Sequence, residues 1–588
     1  MISGEKLGVD AIRAWLTSLG LKDLPSTLTA MITECEAGNL PVALLWSQLA
    51  KIFQSDGLLD NAREAAERAL NAAPAMVNLR AHLARLEFET GNNATAQMLA
   101  NSCRTADPSD LNVALLLSEM FADPNMIAMT SALMVWRSCS NVKYAEWGVE
   151  QVSWVKLLRD VGTNAATEAA ASFILTWVKA HGSDSKSLIQ LATVMLELGR
   201  YDEAGPLLCN LWRHNHVVFD PIIGPFTAGG PPDAKAVDTL RRHVITALNQ
   251  PEEDLPIHSL PVMAGALPDR VMYLGPQIIG LGFPNDVAFH LTRAANAADR
   301  HLSFDSDLTL FGSERLRISD AERSRRIDAL ACRLRTVRPQ VLILDCCWPP
   351  TPGHLDPLGL IALKAEIGCR VLCLFRDAHS SILDYIRHWT AAADGVVFFD
   401  PLSSALLPKN SDIACKAIAF PVPVLMANPV PLPSRGLLFI GSLAQYHRSM
   451  LIGALLVAGL DFTAIVGNER LRLAPDYDAY SKLLASSRAV LNIAVHHEHE
   501  RLVTGRCWET IAVGGLLLEQ AGSGLNRFFA PYRHYIPWTS HGDIATAYRF
   551  LEREDELRQA MIASAQNWAA RHYSPKQVWS ALMALACR

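Results

Sequence analysis

The chain has 588 residues, too many for one hydrophobic core; at roughly 100–200 residues per domain it should hold three or more units. Half of its residues are apolar and 19% are charged, a composition that argues against disorder. A net charge of −6 gives no basic surface of the kind that binds nucleic acid or an anionic membrane.

The opening stretch MISGEKLGVDAIRAWLTSLG has acidic residues and no long apolar core, unlike a secretory signal. No uninterrupted apolar run reaches the roughly 18–20 residues of a membrane span, so a cytoplasmic protein is expected. The 12 Cys are scattered without a paired CxxC spacing, and the expectation is buried thiols rather than a metal site.

From Leu44 the sequence LLWSQLAKIFQSDGLLDNAREAAERALNAAP reads as a helical hairpin. Ala50 and Ala62 let two helices approach closely, Gly57 ends the first, and Pro74 stops the second. The same marks return 34 residues later at Leu83, Ala84, Gly91, Ala96 and Pro108, and again at Leu191, Ala192, Gly199, Tyr201, Glu203 and Ala204. This spacing and pattern resemble the tetratricopeptide repeat. The resemblance implies an α-helical repeat array over residues 1–215 whose concave face holds another chain, with capping or dimerisation of the rest of the protein as the competing role. Residues of about 110–185 are helical by pattern but depart from the repeat, and read as degenerate hairpins. A Gly/Pro cluster, a helix at about 234–249 and a Pro-rich stretch make 216–269 a linker.

From Arg270 short Val/Ile/Leu runs alternate with amphipathic stretches, the pattern of a parallel sheet covered by helices. Strands are expected at VMYLG, VLILD, VLCLF, VVFF and AIAFP. After a Pro-rich hinge a second series comprises LLFIG, FTAIVG, AVLNIA, GLLLEQ and HYIPW. Residues 270–430 and 431–588 are thus two doubly wound α/β domains with a ligand cleft between the carboxyl ends of their sheets.

The most specific segment is HHEHERLVTGRCWETIAVGGLLLEQAGSGLNRFFAP. With Arg506, Trp508, Glu509, Gly514 and Gly515 it resembles the donor-binding segment of GT-B glycosyltransferases, especially the CgeB-like family. The resemblance covers about 430–585 well and 270–430 by architecture only. It implies a GT-B pair of Rossmann-like domains, with an acceptor-side first domain and a nucleotide-sugar donor domain second. Glu509 can accept hydrogen bonds from ribose or sugar hydroxyls, Arg506 can pair with phosphate, and Thr504 and Gly505 bring backbone donors to a helix start. The competing reading of Arg506 and Glu509 is an ordinary helix-surface pair.

Gly441, Ser442 and Arg448 offer a second phosphate contact, Arg448 by resemblance to the basic residue that many GT-B enzymes place on donor phosphates. Gly280 and Gly282 follow a strand where backbone can approach an acceptor, or simply make a tight turn. Asp377 and His379 follow another strand end, and either can act as the general base that an inverting transfer needs, unless Asp377 is a helix cap. His496, within HHEH, is expected on a loop beside the donor; the string lacks the HExxH spacing of a zinc site. Asp305 and Asp307 resemble the DxD of metal-dependent GT-A enzymes, but are read here as loop residues, with no metal or other cofactor required beyond the nucleotide-sugar substrate.

Repeats joined to a GT-B pair also resemble protein O-glycosyltransferases, including flagellin-modifying enzymes. The resemblance implies transfer of a sugar to a hydroxyl of a protein acceptor, such as Ser or Thr of flagellin or another bacterial surface protein, recruited by the repeats. The competing readings are a lipopolysaccharide, capsule or other glycan glycosyltransferase, and a non-catalytic scaffold with a degenerate GT-B module.

Overall fold

A computed structural model describes residues 2–19, 21–23, 26–55, 58–106, 111–121, 127–128, 130–134, 147–161, 163–182, 184–214, 234–255, 257–275, 278–279, 283–284, 286–305, 317–318, 320–346, 357–375, 378–379, 382–407, 414–417, 435–443, 446–466, 473–474, 476–495 and 500–587. These form two compact units. One contains residues 1–199, 311–328 and 351–354, and the other contains 200–310, 329–350 and 355–588. Among the described residues no helix is long and apolar enough to cross a membrane.

The first unit is built from helices α1 (Ile2–Ser18), α2 (Ser26–Glu36), α3 (Val42–Ser55), α4 (Leu59–Ala72), α5 (Val77–Glu89), α6 (Asn93–Ala106), α7 (Leu111–Phe121), α8 (Val149–Asp160), α9 (Asn164–His181) and α10 (Ser185–Glu197). Helices α3 to α6 pack on one another in sequence order. Ala50 on α3 and Ala62, Ala65, Ala66 and Ala69 on α4 are all buried, so small side chains line the seam where the helices approach closest. Arg68 lays its guanidinium 5.0 Å from the Trp15 ring centroid and 4.9 Å from that of Trp46, tying α4 to α1 and α3. Gly91 and Gly199 end their helices at φ +85° and +72°, conformations that a residue with a Cβ adopts only with strain.

The second unit begins with α11 (Tyr201–His214) and α12 (Ala234–Asn249). The sequence pattern groups α11 with the repeats, yet α11 packs on a helix of the C-terminal half, α17 (Tyr446–Val457). The reason is two glycines. A Cβ on Gly453 would lie 2.6 Å from Leu208 Cβ, and one on Gly205 would lie 3.0 Å from Val457 Cγ1, so the backbones meet where no side chain intervenes. The second compact unit starts at Arg200.

The first sheet has strands β1 (Val271–Leu274), β2 (Leu302–Asp305), β3 (Val341–Asp345), β4 (Arg370–Phe375), β5 (Gly395–Phe398) and β6 (Ala414–Ala417). They lie in the order β6-β5-β4-β3-β1-β2, every neighbouring pair parallel. Strand β2 is a correction to the sequence reading, which made Asp305 a loop residue. LSFD is too short and too polar at its end to stand out as a strand, but it pairs along the edge of β1. Asp307 lies outside the described residues. The last strand runs over 414–417, upstream of the expected AIAFP.

The second sheet has β7 (Arg435–Gly441), β8 (Phe462–Val466), β9 (Ser487–Asn492), β10 (Leu517–Gln520) and β11 (Ile536–Trp538), in the all-parallel order β8-β7-β9-β10-β11. In VLILD every residue is buried, as a strand covered on both faces requires. The site described below uses α13 (Asp286–Ala297) of the first lobe and, in the second, α18 (Tyr477–Ala485), α19 (Gly505–Ala512), α20 (His541–Arg553), α21 (Asp555–His572) and α22 (Pro575–Ala586).

One core runs through both lobes, including Val271 and Leu372 of the first sheet with Trp508, Leu517 and Trp579 of the second lobe. The chain's last helix makes that possible. Ser574 caps α22 by accepting from the Gln577 N–H, Pro575 fits its first turn, and α22 returns to pack on α13, β4 and β5. At β5 the Leu585 carbonyl comes so close that a Cβ on Gly395 would lie 2.8 Å from it.

The segment read as a linker is likewise built in. Arg533 donates from Nη1 to the Ala247, Leu248 and Gln250 carbonyls at the end of α12, at 3.0, 3.3 and 2.5 Å. Leu260, Met263 and Leu267 pack against the shared core.

Candidate functional site

Strand β7 lies between β8 and β9; the chain leaves the carboxyl end of β7 toward β8 and that of neighbouring β9 toward β10, in opposite directions. In an open parallel sheet such a reversal leaves a crevice that backbone atoms do not fill. Gly441 and Ser442 close β7 there, and Asn492, Ile493 and Val495 close β9.

Two guanidinium groups converge on this point. Arg448, from α17, donates through Nη1 to the Ser442 carbonyl at 3.2 Å, and through Nη2 to the carbonyls of Ile493 at 3.5 Å and Val495 at 3.4 Å. Arg506, from the first turn of α19, donates to Asn492 Oδ1 at 3.3 Å and lies over the Phe439 ring at 6.0 Å from its centroid. Neither makes a salt bridge among the described residues, and the Nε of each is buried without a hydrogen-bond partner. Burial and the neighbouring charge of Arg506 push the Arg448 guanidinium down to about 10. Two like charges held together at a strand switch, neither in a salt bridge among the described residues, favour an anion there.

The start of α19 adds to that preference. Thr504 precedes the helix in an extended conformation, and its hydroxyl donates to Asn492 Oδ1 at 3.3 Å instead of capping the helix. The first-turn N–H groups of Gly505 and Arg506 have no intrahelical acceptor and carry the positive end of the helix dipole. A Cβ on Gly441 would lie 3.6 Å from Arg506 Nη2, so the strand end passes close beneath the guanidinium.

Glu509 departs from its expected place at a donor sugar. It is buried, its Oε1 is 2.9 Å from His290 Nε2 on α13, and its Oε2 accepts from the Tyr480 hydroxyl on α18 at 3.2 Å. Burial raises its pKa, but the His290 hydrogen bond and charge, the Arg506 charge and Tyr480 together outweigh burial and hold it below the ordinary value. Both carboxylate oxygens are thus engaged within the protein. The signal the sequence could not supply is His290, more than 200 residues away and on the other lobe. Gly514, at φ +78°, and Gly515 turn the chain from α19 into β10, and a Cβ on Gly515 would lie 2.9 Å from Thr510 Cγ2.

Next to β9, Glu519 at the end of β10 is buried and accepts from Asn492 Nδ2 at 2.8 Å and from the Cys507 thiol at 3.3 Å. Burial pushes its carboxyl up to about 7 and that of the Cys507 thiol upward as well. Asn492 therefore links Glu519 on one side to Thr504 and Arg506 on the other.

A cavity of about 300 Å³ opens between the lobes. Ala378, His379, Asp400 and Ser403 line it from the first lobe, and Arg501 and Gly522 from the second. His379, beyond β4, thus lines this cavity. Asp400 fixes the two walls together: its Oδ1 accepts from the N–H groups of Leu402 at 2.8 Å and Ser403 at 2.9 Å, and its Oδ2 from the Val503 N–H at 2.7 Å. Burial raises its pKa against those hydrogen bonds. Sequence reasoning passed over Asp400, Asn492 and Arg501. Only Arg501 had a local cue, its place beside the His cluster. Asp377, Gly280, Gly282 and His496 lie outside the described residues.

Residues 445–584 match the model of a family described as glycosyl transferase-like. No curated protein matches the chain in sequence. Solved structures similar to it include a glycosyltransferase from Rickettsia africae, 9% identical over 53% of this chain and 95% of that one, with a TM-score of 0.37. An O-GlcNAc transferase from Thermobaculum terrenum is 12% identical over 93% of this chain and 98% of its own, at a TM-score of 0.34. HepE from Anabaena, in complex with UDP and glucose, is 11% identical over 53% and 97%, at 0.37. The stretch from 445 to 584, which carries Arg448, Arg506 and Glu509, is thus glycosyl transferase-like, the second of two parallel-sheet Rossmann-like lobes behind a helical N-terminal region.

Proposed function

We propose that the chain transfers a sugar from a nucleotide-activated donor to a hydroxyl group, with the donor diphosphate at the switch point of the second lobe. The observation that carries this reading is the pair Arg448 and Arg506, two guanidinium groups that form no salt bridge among the described residues, beside the open start of α19. Planar guanidinium forks bind phosphate oxygens bidentately, and helix-start amides add donors at fixed positions. In such a site the arginines carry the phosphate charge without a metal, and Gly441, Ser442, Thr504 and Gly505 form its walls.

The departing diphosphate gains negative charge as the glycosidic bond breaks. Fixed positive groups stabilise that change without reorganising. The attacking hydroxyl must lose a proton, and His379 in the cavity between the lobes supports the base assignment, with Asp377 the other candidate. Glu509 enters this scheme as a positioning residue: it fixes α19, and with it Arg506, against α13.

The acceptor in this proposal is a protein side chain, Ser or Thr, brought by tetratricopeptide-like repeats of the first unit. The recurring Ala and Gly marks on α3 to α6 support the repeat assignment, and flagellin or another bacterial surface protein made in the cytoplasm fits an enzyme of this kind.

The test is a thermal-shift and hydrolysis screen of the full-length protein against UDP-, GDP-, dTDP-, ADP- and CMP-sugars. A ligand at about 100 times its dissociation constant adds about 2.7 kcal/mol of stability. Stabilisation by one nucleotide-sugar in the wild type, absent in Arg506→Ala, supports the reading. A folded protein that none of them stabilises or is hydrolysed by overturns it.

A further inference from the structure

The cavity between the lobes contains a cation that the donor site does not use. Arg501 pairs its backbone with Val495 at the end of the loop after β9 and lines the cavity opposite His379 and Ser403. Its guanidinium lies against Gly522, just past β10, where the backbone adopts φ +85° and a Cβ would come within 2.8 Å of Nη1. Any side chain at position 522 would displace it. The Arg501 Nε is buried without a hydrogen-bond partner, and no ion pair or side-chain hydrogen bond to Arg501 exists among the described residues.

Two acids, Asp400 and Glu500, line the same cavity. Asp400 spends both oxygens on Leu402, Ser403 and Val503. Arg501 is half-buried, its Nε is shut off from water, and the glycine at position 522 leaves room for its guanidinium.

We infer that Arg501 is a specificity-determining residue that recognises a carboxylate on the transferred sugar, so that the donor carries a sugar acid. This rests on the donor reading above. A planar five-donor fork matches a carboxylate bidentately, whereas a neutral hexose offers only hydroxyls. A cavity of about 300 Å³ is at the small end of ligand sites, a size suited to one ring. It opens at the end of β10, the strand next to β9, where Arg506 contacts Asn492. A sugar attached to a diphosphate at the switch point would therefore reach it.

The experiment measures binding to the full-length protein of glucuronate, glucose, N-acetylglutamate amide and inorganic pyrophosphate, each in EDTA, by ligand-observed NMR up to 20 mM. The expected result is at least 10-fold tighter binding of glucuronate than of glucose or of N-acetylglutamate amide, which has a carboxylate but no ring. In Arg501→Gln, glucuronate should fall to the level of glucose while pyrophosphate binds as in the wild type, which also shows that the variant folds. Equal binding of glucuronate and glucose to the wild type, or no glucuronate binding at 20 mM, overturns the inference without any variant. Equal binding of N-acetylglutamate amide moves the carboxylate to the acceptor and overturns the sugar assignment. Loss of pyrophosphate binding in Arg501→Gln makes Arg501 a phosphate contact, which also overturns it. Glucuronate binding without pyrophosphate binding in the wild type removes the donor reading but leaves the carboxylate site standing.

Discussion

His290 and Glu509 meet 2.9 Å apart, imidazole Nε2 to carboxylate Oε1, with 0% and 7% of their side chains exposed. One belongs to α13 of the first lobe and the other to α19 of the second, so the pair joins the lobes inside the protein. Tyr480 completes the carboxylate from α18.

Removing one partner leaves the other buried and unsatisfied. His290→Ala and Glu509→Ala should each cost about 3–5 kcal/mol in urea unfolding. The pair also has a pH signature. Glu509 is held below its ordinary value, so its contribution is complete above 4.5 and disappears as pH falls through the lower native value. Unfolding followed from pH 6 to pH 3 should show a steeper acid loss in the wild type than in His290→Ala. Parallel curves would mean that the contact does not hold the carboxylate's charge.

Glu519 works with the opposite sign. Its carboxyl is raised from 4.5 to about 7, so the folded state keeps a proton that the unfolded state releases. Stability tied to this group is complete below 4.5 and declines as pH rises toward about 7, by a total on the order of 3 kcal/mol. Glu519→Gln retains a carbonyl to accept from Asn492 and Cys507 but has no proton to lose. It should remove that slope and stabilise the protein at pH 8, as read by urea unfolding at several pH values.

Arg448 and Arg506 repel each other when the site is empty of anions, and an anion relieves the repulsion. Arg506→Ala should weaken nucleotide-sugar binding about 10- to 100-fold, the worth of a charged hydrogen bond. If arginines alone carry the phosphate charge, EDTA leaves wild-type binding unaltered and added salt weakens it. Calorimetric titration with the nucleotide-sugar found in the screen checks all three outcomes.

Gly453 sets how closely α17 meets α11. A Cβ there would lie 2.6 Å from Leu208 Cβ and 3.1 Å from the Cys209 nitrogen, which is backbone and cannot turn aside. Gly453→Val should therefore destabilise the protein by about 1–3 kcal/mol in urea unfolding, with Gly205→Val acting in the same direction. An unchanged midpoint would show that the two helices are free to separate.

The sequence by itself determined the local elements. Ala and Gly spacing set the helices of the first unit, and runs such as VLILD and LLFIG set buried parallel strands, because periodicity and burial act over a few neighbouring residues. It also puts Arg506 on a helix, Arg448 near a helix that follows a strand, and His379 beyond a strand end, since a strand's direction fixes where its carboxyl end lies. The strand of LSFD escaped notice because four residues at a sheet edge carry too little pattern. Tertiary structure alone decided the partners. Glu509 turned inward because His290 and Tyr480 satisfy both its oxygens, α11 packs on α17 because Gly205 and Gly453 let the backbones meet, and Arg501 lies in a cavity against Gly522. These outcomes depend on contacts between residues tens to hundreds of positions apart, where hydrogen-bond satisfaction and steric exclusion, rather than local pattern, select the arrangement.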